Sequence, residues 1–502
     1  MGQTERDRAG DRSVFPAPIY RRTVLEPIFS DALLYFLEPL VAIQYAHTLM
    51  LGRQQILKAE DVIPCLQALE DLNLDEIRNA KYDGSFEDLF FFVQRKLAER
   101  CGVENAGKMH TARSRNDIDL TMYRMVLRDQ LTNTVHVVLS VRQQLVDLAW
   151  EHRGSLMPAY THNQPAQPTT LGHYLMAIIE CLERDTARLQ SAFGRVNQCP
   201  LGACAITTTG FPIDRYHTAA LLGFDSLQMN SYGAIAAADY VTESCSVLSV
   251  CMLNLGRFAQ DLLQWSGVEF GYLRLSDGYV QISSIMPQKR NPVALEHVRI
   301  LSSRALTRSQ SILGNLHNTP FTDINDAEDQ LQPLVYRAFD DAHRSLELLA
   351  GILSEVHFDV AKMATAAEGS FLTVTELADT LVRSTGMSFR VAHEIVSHGV
   401  KELDGHYDAQ KMAAGVERIL ATSHPEYSIP DPVELRQALQ AAHFIAIRRI
   451  PGGPAPEALD PEIERARRQL GTDRAWLQST LDRLEDARQR IRTETRELLT
   501  QR

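Results

Sequence analysis

The chain holds 502 residues, 45% hydrophobic and 23% charged, with 51 Lys and Arg against 63 Asp and Glu, a formal net charge of −12. These values are ordinary for a globular protein and exclude a low-complexity or wholly disordered chain. The acidic balance argues against a nucleic-acid or anionic-membrane surface, because both need a dense basic patch, but it leaves room for a local basic pocket.

The N-terminus, MGQTERDRAGDRS, is charged and lacks the apolar stretch of a secretory signal. Helical patterns over Leu33–Leu51, Ala59–Leu72 and Phe86–Cys101 then read as a small N-terminal helical domain, residues 1–117. Proline is absent between Pro64 and Pro158, between Pro168 and Pro200, and between Pro212 and Pro287, which permits long helices. Periodicity fills them. Tyr123, Leu127, Leu131, Val138, Val141, Leu145 and Leu148 share one helical face within Leu120–Trp150. Val241, Cys245, Leu248, Met252, Leu255, Ala259 and Leu262 share another, and Leu171–Val196 and Val293–Leu316 behave alike. Four long helices predict a bundle domain over 118–368. Their apolar character around much of the circumference predicts cover by other subunits as well as by one another.

A C-terminal helical domain, 369–502, follows. Gly386 closes one helix, Ser388–Leu403 begins the next, and Pro425, Pro430 and Pro432 break the chain. Pro451–Pro456 reads as a turn, and the charged tail from Pro461 to Arg502 as a solvated helix. Strand-like alternation is nearly absent, so the predicted class is all-α. No run approaches the roughly 18 apolar residues of a membrane span. The seven cysteines, Cys65, Cys101, Cys181, Cys199, Cys204, Cys245 and Cys251, contain no C-x-x-C pair. They predict free thiols in a reducing, cytoplasmic setting.

Three polar segments each abut a long helix. Gly107–Asp117, GKMHTARSRND, crowds Lys108, His110, Arg113, Ser114, Arg115 and Asn116 before a helix start, where backbone N–H groups and guanidinium forks favour a carboxylate. An inert loop whose arginines pair with protein carboxylates is the equal alternative. Tyr160–Pro168, YTHNQPAQP, offers Thr161 and His162, a hydroxyl beside an imidazole able to exchange protons near neutrality. Ser283–Pro292, SSIMPQKRNP, carries Ser283, Gln288, Lys289 and Asn291, with Gly278 upstream as a possible hinge for a loop closing over ligand.

Taken together, these segments resemble the argininosuccinate lyase family of the fumarase/aspartase superfamily. Ser283–Pro292 is similar to the superfamily signature, and the other two segments to the family's first and second regions. Further similarity lies at Pro200-Leu-Gly, Arg274–Asp277, Gly386–His393 and Gly452–Pro456. The resemblance implies a homotetramer whose long helices form a twenty-helix bundle, with each active site taking one motif from each of three subunits. It implies elimination of an amine from a succinyl group to release fumarate through a carbanion with aci-carboxylate character. Ser283 would be the base and Lys289 a charge stabiliser. His162 would serve proton delivery, with Glu296 as its carboxylate partner. Arg113, Ser114, Arg115, Asn116, Thr161, Gln288 and Asn291 would bind the dicarboxylate. No metal or organic cofactor is implied, and no nucleic acid or membrane partner.

The pattern departs in one place above all. Where the family carries Y-N-x-D-x-Q-E-D-K, this chain reads Thr322–Gln330, TDINDAEDQ. Glu328-Asp329 survives, but Thr322, Ala327 and Gln330 replace the tyrosine, glutamine and lysine. Ala238 stands where the family has arginine, and Asp88-Leu-Phe90 where it has D-x-H. The N-terminal W-G-G-R-F has no counterpart. The losses fall around the amine and spare the succinyl motifs. The expected activity is therefore C–N elimination from an N-substituted aspartate other than argininosuccinate. The alternatives are argininosuccinate itself, another superfamily chemistry such as nitrite loss from a nitrosuccinate or cycloisomerisation, and a non-catalytic scaffold.

Overall fold

Five long helices, one more than the periodicity singled out, form the central bundle. A computed structural model describes residues 15–500; the charged N-terminal stretch read above lies outside the described residues. Among the described residues, four helices of ten residues or more precede the bundle: α1 (Glu26–Tyr35), α2 (Leu37–Arg53), α3 (Ala59–Glu70) and α4 (Leu89–Cys101). The bundle follows: α5 (Arg115–Glu151), α6 (Leu171–Val196), α7 (Asp239–Ser266), α8 (Val293–Leu316) and α9 (Gln332–Glu355). At 1.5 Å per residue, α5 with its 37 residues is about 55 Å long and α8 with its 24 about 36 Å.

Local chemistry fixes the helix ends. Asp117 Oδ1 accepts the Ser114 backbone N–H at 2.9 Å, and its Oδ2 accepts those of Gly202 and Cys204 at 2.7 and 2.9 Å. One buried carboxylate thus starts α5 and pins the Pro200-Leu-Gly loop to it. Thr170 caps α6, its hydroxyl accepting the His173 N–H at 3.1 Å. At the other end of α6, Arg124 Nη1 donates to the carbonyls of Arg195 and Val196, placing a cation on helix C-terminal acceptors. The sequence reading passed over α9. Its stripe Val335, Phe339, Ala342, Leu346, Leu349 and Leu353 is fully regular and buried, and Pro333 sits in the first turn, where a missing N–H costs nothing.

The five helices run alternately up and down. Tyr123 of α5 donates to Asp329 beside the start of α9 at 2.6 Å. Tyr174 of α6 packs on Trp265 of α7 with centroids 4.9 Å apart. The starts of α5 and α9 therefore share one end of the bundle with the ends of α6 and α8. The other end holds the end of α5 and the starts of α6 and α8.

At that second end the chain does form strands. β1 (Leu156–Thr161) and β2 (Gln164–Thr170) make an antiparallel hairpin. Its turn residues His162 and Asn163 both have positive φ, 50° and 60°, as a two-residue turn matching the strand twist requires. Pro165, Pro168 and a register shift at Ala159/Tyr160 hide the alternation from the sequence.

Residues 369–500 hold two differently packed pieces. Helices α10 (Val374–Thr385), α11 (Phe389–Glu402), α12 (Ala409–Ser423), α13 (Pro432–Ala438) and α14 (Ala441–Ala446) follow one another. Leu377–Leu439 encloses a core of its own, built on Leu381, Ile395, Met412 and Leu435. The tail, expected as a solvated helix, is instead α15 (Pro456–Thr500), which returns along the bundle and joins the main core through Leu459, Ile463, Ala466, Leu470, Leu477 and Ile491. Its buried positions recur at alternating steps of three and four, a heptad stripe. Arg142 of α5, fully buried, donates to Asp473 of α15 at 2.5 Å, and Gln190 and Gln469 also donate to Asp473.

No helix of the described residues is long and apolar enough to cross a membrane. The seven cysteines are free.

Candidate active site

Helix α5 begins with the anion-binding segment read from sequence. Ser114, Arg115 and Asn116 occupy its N-cap and first turn, half-buried, where the helix end favours negative charge. Arg115 forms ion pairs with Asp88 at 2.6 Å and Glu87 at 3.1 Å. Asn116 Nδ2 donates to Asp323 Oδ2 at 2.6 Å. Arg113 faces away: only 7% exposed, it donates to Gln44 at 2.6 Å. Through that bond its guanidinium braces the loop against α2.

The sequence reading missed the carboxylates gathered here. Asp119, one turn from Arg115 on the same face, lies near Asp329, Asp88 and Glu328. Burial, with these neighbours adding to it, raises Asp119 well above the usual carboxylate range and raises Asp329. Glu328 is pushed up to about 8 by burial, then by its hydrogen bond to Asp323 and the charges of Asp323 and Asp329. The surviving Glu328-Asp329 pair was the one signal for this group.

A pH dependence follows. Folded Glu328 holds its proton to about pH 8, against an ordinary 4.5. The stabilisation is complete below the ordinary value and is lost as pH rises through the folded one. The thermal midpoint is expected to fall from about pH 4.5 to about pH 8 and to level off above it, and Glu328→Gln to flatten that fall. A melting series at fixed ionic strength checks it; an equally steep fall in the variant would contradict the assignment.

The second motif forms the hairpin tip. Thr161 and His162 are exposed, and His162 lines a cavity of about 550 Å³ with Tyr160, Tyr174, Arg257, Asp261 and Trp265. His173 steadies the hairpin base, bonding Thr169 Oγ1 at 2.8 Å and the Gly452 carbonyl at 3.0 Å. The carbonyl only accepts, so Nε2 carries the proton and Nδ1 accepts from Thr169.

The third motif is a loop clamped at its neck. Gln281 and Ile282 pair with Asn291 and Arg290. Arg290 binds Asp277 at 2.5 Å and the Leu275 carbonyl at 2.9 Å. The Asn291 amide donates to the Gln281 carbonyl at 3.0 Å, so in this state it holds the neck. Ser283 Oγ accepts the backbone N–H groups of Met286 and Ile285, at 3.1 and 3.3 Å. Two donors on one hydroxyl oxygen favour its anionic form and so make the alkoxide, the form that takes a proton, more accessible. Gln288 and Lys289 are exposed at the tip, with Ile282 at 75% and Ile285 at 83%. Glu296 lies in the first turn of α8.

One chain does not assemble the three motifs. Ser114–Asn116 sit at one end of the bundle, because Asn116 touches the segment that follows α8. The Ser283 loop precedes α8, about 36 Å away along that helix. The hairpin follows α5, about 55 Å from Ser114. Among the described residues, His162 and Glu296 share no hydrogen bond within the chain. Among those residues, no group of three His, Cys, Asp or Glu side chains stands ready for a metal ion.

Residues 44–307 match the lyase family model, and residues 371–416 the argininosuccinate lyase C-terminal model. The chain is 42% identical over 475 residues to argininosuccinate lyase 2 of Agrobacterium fabrum, covering 94% of each protein. It is 37% identical over 454 residues to argininosuccinate lyase of Methanoculleus marisnigri, covering 90% of this chain and 92% of that one. Its fold matches an EDDS lyase variant with bound fumarate at a TM-score of 0.86 and 34% identity, over 94% of this chain and 93% of that one.

Proposed function

We propose, from the premise that this chain belongs to the argininosuccinate lyase family of the fumarase/aspartase superfamily, that it releases fumarate from an N-substituted aspartate whose amine is not arginine. The chain is a carbon–nitrogen lyase of all-α fold. The observation carrying the finer reading is the contact of Asp323 with Asn116. The segment that departs from the family pattern lies directly on the motif assigned to the substrate's carboxylates, where it presents the Asp323 carboxylate and carries Gln330 in place of the family's lysine. The fumarate held by the EDDS lyase variant supports the product.

In this reading Ser283 takes the Cβ proton, its oxygen prepared by the Ile285 and Met286 N–H groups. The carbanion charge moves onto the adjacent carboxylate, met by Lys289 and Gln288. Ser114, Arg115, Asn116 and Thr161 hold the carboxylates. The C–N bond then breaks, its electrons staying with nitrogen while the carbanion pair forms the double bond. His162, supported by Glu296, delivers a proton to the departing nitrogen. Asn291 acts through the loop neck.

The opposite ends occupied by these motifs favour a homotetramer in which three subunits contribute to each site. Five long helices in each of four chains account for twenty in the central bundle. A division near residues 117 and 368 and a cytoplasmic setting belong to the same proposal.

The names of the two relatives favour a second reading, argininosuccinate as substrate. Incubation with fumarate and a panel of amines that includes arginine, followed by mass spectrometry, separates the two. An adduct with another amine but not with arginine is the expected result. An arginine adduct would overturn the finer reading, and no adduct with any amine would overturn the reaction.

A further inference from the structure

We infer that the amine handled at this site carries a flat apolar group of aromatic size, selected by Phe321 and Tyr232; the inference rests on the fumarate-forming reaction proposed above. Tyr232, in the short helix Ser231–Ala236, and Phe321, in the loop after α8, stack with centroids 6.1 Å apart and planes within 20°. That short helix packs through Ala234 and Ile235, so Tyr232 is not what holds it down. Both rings are open to solvent, 44% and 66% exposed, and among the described residues neither belongs to a buried core. Two adjacent aromatic residues outside every core add nothing to folding that smaller polar residues would not, whereas an open ring face is a surface on which another flat group stacks.

Position ties the pair to the reaction. Phe321 stands two residues before Asp323, whose carboxylate accepts from Asn116 at 2.6 Å. Two residues of extended chain span about 7 Å. A substrate whose carboxylate lies on Ser114–Asn116 therefore places its nitrogen substituent within reach of the rings. The intervening Thr322 is small.

The test compares 2-phenylethylamine with ethylamine as acceptors of fumarate, measuring kcat/KM for adduct formation with the full chain. A preference of about tenfold for the ring-bearing amine is expected in the unaltered protein, since one aromatic stack contributes roughly threefold to tenfold beyond burial of the ring. In Phe321→Ala and in Tyr232→Ala that ratio is expected to drop toward one. Both side chains are exposed, so melting temperatures should stay in place, and a variant that melts early is replaced by Phe321→Leu, which keeps an apolar side chain but removes the flat face. Equal use of the two amines, or a ratio unmoved in the variants, overturns this inference while leaving the fumarate reaction intact. If no amine of any size adds to fumarate, the reaction and this inference fall together.

Discussion

Ser283→Ala is expected to lower kcat by about a thousandfold, the scale on which a positioned base acts, with the thermal midpoint unchanged. A serine hydroxyl is a weak base in water, so the assignment needs a reason in the structure. The Ile285 and Met286 N–H groups converge on its oxygen, and both donate more strongly to an alkoxide than to a hydroxyl. Lys289 follows six residues on, at the tip of the same clamped loop. Ser283 is half-buried, and its side chain accepts only from its own loop, so losing it leaves the bundle alone. Steady-state kinetics and a melting curve on the same preparation check both halves. The distance between motifs adds a control. Ser283→Ala chains mixed and reassembled with Arg115→Ala chains should regain activity, because one site can draw its loop from one chain and its arginine from another. Two variants that stay silent when mixed would place the whole site within a single chain.

Asp473→Ala is expected to cost about 3–5 kcal/mol of stability, the range found when one partner of a buried ion pair is removed. Arg142 has no exposed side-chain surface, and Asp473 is its closest counter-charge at 2.5 Å, with Glu183 farther at 3.5 Å. Removing the carboxylate leaves a guanidinium that can neither reach water nor lose its proton, and takes away the acceptor of the Gln190 and Gln469 amides. Urea unfolding at fixed protein concentration measures the loss. Glu464→Gln, which touches only the half-exposed pair with Arg467, should stay within about 0.5 kcal/mol. A small change for both would mean that α15 rests on its apolar stripe alone.

Legibility in the sequence followed how local each signal was. Leu171–Val196 and Val293–Leu316 are found with the boundaries their pattern predicts, because Thr170 and Pro292 mark the starts. Helix α9 is equally periodic, but it starts directly after the irregular Thr322–Gln330 stretch and carries Pro333 in its first turn, so its start is poorly marked in the sequence. The hairpin escaped because prolines and a bulge break its alternation. The stripe of α15 escaped because charge surrounds it: the 45-residue helix is strongly polar on average, and only the spacing of its few apolar residues shows the buried side. The chemical residues could be listed from motifs, but their placement could not. That Arg113 turns inward, that Asn116 meets Asp323, and that Ser283 stands a helix length from Ser114 are facts of tertiary packing between residues far apart in the chain.

The Arg142–Asp473 contact joins residues 331 positions apart. At ribosomal rates of about 5–20 residues per second, roughly 15 to 65 seconds separate their synthesis. Throughout that interval the face of α5 that α15 will cover lies open in the nascent chain. A purely apolar face would spend that time as a target for other unfinished chains. An arginine at its centre keeps the surface hydrated until the last helix emerges and supplies the charge that fits it. The same residue that makes the finished protein intolerant of losing Asp473 thus makes the unfinished one less adhesive, and the order of synthesis gives a buried charge a use that the folded state alone does not reveal.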